Sequence, residues 1–283
     1  MTTDDTTPET PSLAGRRIGF IGCGAMARAL AGGLRAGGVA AGDIRASDPD
    51  PDQRARFAEA TGVSASADNG DTVAASEAVV LAVKPGIVGP VLHQLGGLSD
   101  LDRPLWISIA AGVSLFQIES QLPADARVVR AMPNTPALVG AGATALCANA
   151  ATRDADRALA RAVFEAVGSV WAAPREDLMD AVTGLSGSGP AYVFLILEAL
   201  GDAGVRQGLP RDAAYQLAFQ TVLGAAQLAK ESGRHPAALK DQVTSPGGTT
   251  IAGLAELERG GVRAALQAAV AAATARSREL GRG

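Results

Sequence analysis

Six residues, Gly22-Cys23-Gly24-Ala25-Met26-Ala27, stand between a short apolar run and a segment of helical pattern, and they restrict the fold of this chain more than any other feature. The run before them, "RRIGFIGCG" (residues 16–24), is rich in Ile and Phe and ends in glycines. The segment after them, "AMARALAGGLRAGG", repeats its apolar residues at helical spacing. The six residues fit G-x-G-x-x-G/A. In such a turn the first glycine permits the tight bend, the second lets the backbone approach a pyrophosphate, and a small third residue lets the helix pack closely. The helix N-terminus then receives the phosphate charge. A glycine-rich turn can also be purely structural. Its position here, near the chain start and between a strand and a helix, favours a bound dinucleotide.

The next 140 or so residues repeat that plan, by the alternation of short apolar runs with helical spacing. "DIRASD", "EAVVLAVKP", "RPLWISIAAG", "ARVVRAMPNTP", "GATALCAN" and "SVWAAP" read as strands. "PDQRARFAEATG", "GIVGPVLHQLGG", "SLFQIESQL" with Ser114 as its cap, and "RDADRALARAVFEAVG" read as helices between them. Residues 15–174 are thus expected to form a doubly wound parallel sheet, a Rossmann-type dinucleotide-binding domain of α/β class. After Pro174 the strands stop. Residues 175–283 read as an all-helical domain, with "EDLMDAVTGL" as its first helix, and several of the helices are apolar on most faces. Such helices must be buried, so this domain is expected to form a homodimer interface.

Composition removes several classes of function. The formal charge of −4 and the lack of a Lys/Arg block argue against a nucleic-acid partner. No apolar run reaches the ~20 residues of a membrane span. The polar residues 1–14 lack a signal-peptide core and read as a disordered tail. Two cysteines, Cys23 and Cys147, make no disulfide framework, and no metal-ligand cluster is apparent. A soluble cytoplasmic protein is expected. His93 and His235 lack evident partners and read as structural, although His235, ahead of Pro236, is placed to cap or bind.

The other cofactor candidates sit at expected strand ends, where ligands of open α/β sheets gather. Asp48, with Ser47 before it, is placed to accept from a ribose 2′-OH, which favours NADH; Arg45, Arg54 and Arg56 stand near enough to offset it for NADPH. Asp48 equally suits the start of the turn "DPDPD". The choice between NADPH and NADH stays open. Ala82-Val83-Lys84-Pro85 and Ala110-Ala111-Gly112 supply small residues and backbone for the nicotinamide half, while Lys84 also reads as an ordinary exposed charge. Asn134, between Pro133 and Pro136, is a binding group or a turn former.

"GLSGSGP" (residues 184–190) is not read as a second phosphate loop, because no strand precedes it. It resembles the glycine cluster of 3-hydroxyacid dehydrogenases. The lysine and asparagine those enzymes carry fall here on Val193 and Leu197, which disfavours lysine-assisted hydroxyl oxidation.

The motifs "IGFIGCGAMARAL", "AVKPG", "ISIAAGVSL", "RAMPNTPALVGAG", "GLSGSGPAYVF" and "HPAALKDQVTSPGGTTIAGLAELE" together resemble the Δ1-pyrroline-5-carboxylate reductase family, from Gly15 onward. The resemblance implies NAD(P)H-dependent reduction of a cyclic imine to L-proline. It also implies a helical domain that intertwines with a second subunit, commonly within larger rings. The substrate so implied carries one carboxylate, which "SPGGTT" suits without any charge of its own. Gly247 and Gly248 let the main chain curl around an anion at a helix mouth, Ser245 adds a hydroxyl, and Thr249 a main-chain N–H. Thr250 is placed to hydrogen-bond the ring nitrogen as orienter and polariser. Hydride transfer to a protonated imine removes a positive charge, so holding the carbon about 3–3.5 Å from the nicotinamide is most of the task. The same residues also suit a plain N-capping turn. A reductase of another small ketone, imine or oxo acid is the nearest rival. A dinucleotide-binding redox sensor is a second, and the intact "SPGGTT" argues against it.

Overall fold

Strands β1 (Ile18–Ile21), β2 (Ile44–Ser47), β3 (Ala78–Leu81), β4 (Leu105–Ser108), β5 (Arg127–Met132), β6 (Gly142–Ala148) and β7 (Gly168–Ala172) join in one sheet, in the order β2-β1-β3-β4-β5-β6-β7. The computed structural model describes residues 12–281, so all but the end of the expected tail 1–14 lies outside the described residues. From β2 to β5 the pairing is parallel. The order reverses at β1, which opens a crevice beyond the carboxyl ends of β1 and β3.

The expected parallel doubly wound sheet carries one antiparallel pairing, β6 running antiparallel to β5. The reason is chain length. Residues 133–141 hold only the 3-10 turn Thr135–Val139, and a parallel return needs a crossover of about a dozen residues or more. The helix Asp154–Glu165 supplies that crossover between β6 and β7, which pair in parallel.

Period-2 alternation places successive strand residues on opposite faces, and both faces are buried. Ile18, Phe20, Ala78, Val80, Leu105, Ile107 and Val129 pack on one side beneath the helices Ala25–Ala36 and Asp154–Glu165. Ile21, Val79, Leu81, Trp106 and Val128 pack on the other, beneath the helix Pro85–Leu95. Each Val, Leu, Ile or Phe among them contributes about 1.5–3 kcal/mol on burial. Trp106 keeps its one polar atom satisfied, the indole N–H donating to the Leu101 carbonyl at 2.8 Å.

Contacts divide the chain into two compact units. One runs through Gly187 and takes back the chain from Ala273 onward; the other is Ser188–Ala272. The change of pattern at Pro174 is therefore not where the sheet unit ends. Residues beyond it are fastened to the sheet. The Glu176 carboxylate accepts from Arg130 Nη1 at 2.9 Å and from the Leu115 N–H at 2.7 Å, and Met179 is fully buried. Asn134 Nδ2 donates to the Ser186 carbonyl at 3.0 Å. The single helix expected from "EDLMDAVTGL" is broken into a 3-10 turn (Glu176–Leu178), a short helix (Met179–Val182) and a π-helical turn (Thr183–Gly187). The helix Val262–Leu280 belongs to both units, and its later part joins the sheet unit, where Ser277 Oγ donates to Asp180 Oδ1 at 2.7 Å.

In the second unit, the helices Gly189–Arg206 and Arg211–Ser232 pack closely, the Tyr215 ring lying against Gly201. Outward they expose Phe194, Leu195, Leu217, Phe219, Leu223 and Leu228. Large apolar side chains exposed in this number along two packed helices are the mark of an interaction surface. No helix among the described residues is long and apolar enough to cross a membrane.

Candidate active site

The glycine turn lies where β1 opens into the crevice. Gly22 has φ +99°, and a Cβ on it would stand 2.6 Å from the Ala82 carbonyl oxygen, so only glycine fits. Its N–H donates to the Ser47 carbonyl at 2.7 Å, and the Ala82 N–H donates to the Ile21 carbonyl at 2.8 Å. The ends of β1, β2 and β3 are thereby tied together.

Asp48 starts the turn, as one of its two expected readings has it, and also reaches back to the glycine turn. One carboxylate oxygen accepts from the Cys23 N–H at 2.8 Å and the other from the Asp50 N–H at 2.9 Å. Arg54 Nη1 donates to the carbonyls of Asp48 and Pro49, at 2.8 and 2.9 Å. Arg28 Nη1 donates to the Cys23 carbonyl at 2.8 Å and to Gln53 Oε1 at 3.0 Å. Cys23 itself is fully buried, and burial, then the nearby Asp48 charge, push its thiol up to about 12. It is no nucleophile at neutral pH.

Gly24 differs from Gly22 in kind. Its backbone is one any residue adopts, and a Cβ built on it meets no atom within 4 Å. The protein has no internal need for a glycine there. It is the N-cap of the helix Ala25–Ala36, no side chain caps that helix, and its first turn holds no acid. An uncapped helix mouth with open space before it fits a dinucleotide pyrophosphate. Met26 is partly buried and Ala27 fully so, beneath that turn.

The strand ends after β3 and β4 are adjacent, since Leu81 pairs with Ser108 and the Ile109 N–H donates to the Leu81 carbonyl at 3.2 Å. Ala82, Val83 and Ala111 are half-buried and Ala110 is buried. Lys84 is exposed and opens the helix that begins at Pro85. Two sequence assignments change. Ser47 has no exposed surface, and its hydroxyl donates to Asn69 Oδ1 at 2.8 Å, so only its carbonyl reaches the turn. Gly112, with φ +79°, is covered by Leu280 and Gly281. Asn134 is committed at both ends, its Oδ1 accepting from the Ala143 N–H at 2.9 Å. His235 caps the helix Pro236–Gln242 by accepting from the Ala237 N–H at 3.2 Å.

The second set of residues lies wholly in the helical unit. Gly247 has φ +68° and turns the chain into Gly248, the N-cap of the helix Thr249–Arg259. As at Gly24, no side chain caps this helix and no acid stands in its first turn. Ser245 is folded over the mouth: a Cβ on Gly248 would stand 2.2 Å from Ser245 Oγ. Thr249 is exposed and Thr250 half-buried at the first turn. Reading the sequence did not single out Arg130, Glu176, Asp180 and Gln117. Only the inward charge on the apolar strand "ARVVRAM" hinted at a buried ion pair.

Residues 176–280 match the family profile described as pyrroline-5-carboxylate reductase dimerisation, and residues 17–112 match that of NADP oxidoreductase, coenzyme F420-dependent. Glycine turn, sheet and helical unit define an NAD(P)H-dependent oxidoreductase that self-associates through its helical part. The pyrroline-5-carboxylate reductase of Synechocystis sp. is 51% identical over 267 residues, covering 94% of this chain and 98% of its own length. That of Escherichia coli is 42% identical over 266 residues, covering 94% and 98%. The solved pyrroline-5-carboxylate reductase of Coxiella burnetii superposes with a TM-score of 0.87 at 42% identity, over 94% of this chain and 98% of that one. The Plasmodium falciparum pyrroline carboxylate reductase, solved with NADP bound, gives 0.86 at 33% identity, over 95% and 100%. The chain belongs to the pyrroline-5-carboxylate reductase family, and its reaction is the reduction of Δ1-pyrroline-5-carboxylate to proline with NAD(P)H.

Proposed function

We propose that the two uncapped helix mouths divide the substrates of this reaction, the one at Gly24 taking the dinucleotide pyrophosphate and the one at Gly248 the carboxylate of the cyclic imine. Support for the second comes from one observation above all: the helix Thr249–Arg259 opens with no capping side chain and no acid, yet Ser245 brings a hydroxyl to its mouth. The Gly248 N–H donates to the Ser245 carbonyl at 3.1 Å and closes the turn, which leaves the main-chain N–H groups of Thr249 and Thr250, with the Ser245 hydroxyl, as the donor set for an anion. Gly247 supplies the bend. The bound dinucleotide supplies the hydride. Thr250 Oγ1 accepts from the protonated ring nitrogen and donates to the product amine, which holds the ring in one orientation. A lysine in that place would oppose the iminium charge.

Gly22, Gly24, Ala25, Met26 and Ala27 hold the pyrophosphate turn, Asp48 the ribose, and Ala82, Val83, Lys84, Pro85, Ala110 and Ala111 the nicotinamide half. Dimers formed through the helical unit assemble further into a larger ring. The enzyme works in the cytoplasm, a reading that two free, buried cysteines support.

The test compares Δ1-pyrroline-5-carboxylate with 1-pyrroline, the same ring without its carboxylate, in the native enzyme and in Ser245→Ala. Losing charge-assisted hydrogen bonds worth about 1.5–3 kcal/mol is expected to lower kcat/KM on the order of tenfold to hundredfold for 1-pyrroline, and Ser245→Ala is expected to narrow the gap. Equal use of both rings by the native enzyme refutes a carboxylate site. Parallel runs with NADPH and NADH give the cofactor preference.

A further inference from the structure

We propose that the last turn of the chain, residues 277–281, is a positioning element for the loop 110–112 at the end of β4. The inference rests on the reading of that loop as facing the nicotinamide half. Gly112 is in the left-handed region, and its backbone is pressed directly against Leu280 and Gly281. A Cβ on Gly112 would lie 3.3 Å from Leu280 Cβ, and a Cβ on Gly281 would lie 2.7 Å from the Gly112 carbonyl oxygen. Two unsubstituted residues therefore meet main chain to main chain.

The contact is held from both sides. On the loop side, the capping box at Ser114 fixes the Gln117 amide: Gln117 Oε1 accepts from the Ser114 N–H at 2.8 Å. That leaves Gln117 Nε2 to donate to the Gly281 carbonyl at 3.4 Å. On the terminal side, the Gly281 N–H donates to the Ser277 carbonyl at 3.1 Å, and the Ser277 hydroxyl donates to Asp180. Asp180 lies 3.9 Å from Arg130 Nη2, whose other nitrogen binds Glu176. Glu176 returns to the loop by accepting from the Leu115 N–H. The circuit is closed. Loop 110–117, strand β5, the segment 176–180 and the chain terminus each fix the next.

The terminal turn thus sets the height of Ala110, Ala111 and Gly112 at the strand end without touching the reacting atoms. Gly281→Ala tests this most directly. Its new methyl meets a backbone carbonyl that has no rotamer with which to yield, so the loop shifts or the turn lifts away. The dissociation constant of NAD(P)H, read from nicotinamide fluorescence on the intact enzyme, is expected to rise about tenfold. KM for NAD(P)H is expected to rise with it, while KM for the imine stays within about twofold and the melting temperature holds. A chain ending at Arg276 is expected to show the same weakening. Unchanged dinucleotide affinity in Gly281→Ala overturns the proposal, as does a loss that appears only together with a fall in melting temperature. Ala111→Val separates the two levels. If it leaves dinucleotide affinity unchanged, the loop does not face the cofactor at all; if it weakens binding while Gly281→Ala does not, the loop stands and the terminal turn has no part in placing it.

Discussion

Gly22 and Gly24 stand two residues apart in one motif, yet substitution by alanine is expected to damage different properties. At Gly22, φ +99° costs an L-residue about 1–2 kcal/mol, and the new Cβ meets Ala82 O and C at 2.6 and 2.9 Å. Both atoms are backbone at the end of a central strand and cannot turn aside, so overpacking adds about 1–3 kcal/mol. The total of about 2–5 kcal/mol corresponds to a fall in melting temperature of roughly 5–20 °C for a unit of this size. At Gly24 the backbone is extended and the space is open, so alanine leaves the melting temperature nearly unchanged, the about 0.4–1 kcal/mol of lost unfolded-state freedom being offset by alanine's poorer fit to an N-cap. Its methyl instead occupies the approach of the pyrophosphate. Loss of one charge-assisted bond there raises the NAD(P)H dissociation constant at least about tenfold. Thermal denaturation and a fluorescence titration on the same two variants check both statements. A Gly24→Ala enzyme that binds NAD(P)H as tightly as the native one refutes the assignment of that open space to a phosphate.

Thr250→Ala is expected to lower kcat more than it weakens substrate binding, with a loss at or below about a hundredfold, and Ser245→Ala to do the reverse; steady-state kinetics separate the two, and a loss near ten-thousandfold in Thr250→Ala refutes the orienter role. Asp48→Ala is expected to improve the use of NADPH relative to NADH, seen as a ratio of kcat/KM values, and an unchanged ratio removes Asp48 from the ribose site. Cys23 is held protonated in the native enzyme up to about 12, whereas the unfolded chain ionises near its ordinary 9.0. The native state therefore binds the proton more tightly, and stability is lost as pH rises from 9 toward 12. Cys23→Ala is expected to flatten that alkaline fall, measured by urea denaturation across this range; an unchanged slope refutes the assignment.

The strands and most helices were legible because burial on both sheet faces leaves short apolar runs, and because Gly62 and Ser114 end or begin helices where the sequence says they should. Strand direction was not legible from β6 itself, whose apolar pattern resembles that of its parallel neighbours. It was encoded instead in the short connection before it. The helix Asn69–Ala74, capped by Asp68, escaped notice because six residues beginning Asn-Gly-Asp read as a turn. The glycine turn and "SPGGTT" could be found because their chemistry is local. The partners of Arg130 and Gly112 could not, since they are set by contacts across most of the chain, and an Ala-rich terminal helix carries no mark of what it will lie against.

The bond from Gln117 to Gly281 spans 164 residues. A ribosome makes the seven strands before the turn at residues 277–281, with the whole helical unit between them. The nascent sheet can form its core during synthesis, at about 5–20 residues per second, but its β4 loop stays without the turn at residues 277–281 until the helical unit between them has been made. The setting of this loop thus waits on a segment made after the whole helical unit, and a sheet cut off before that unit carries the loop unset.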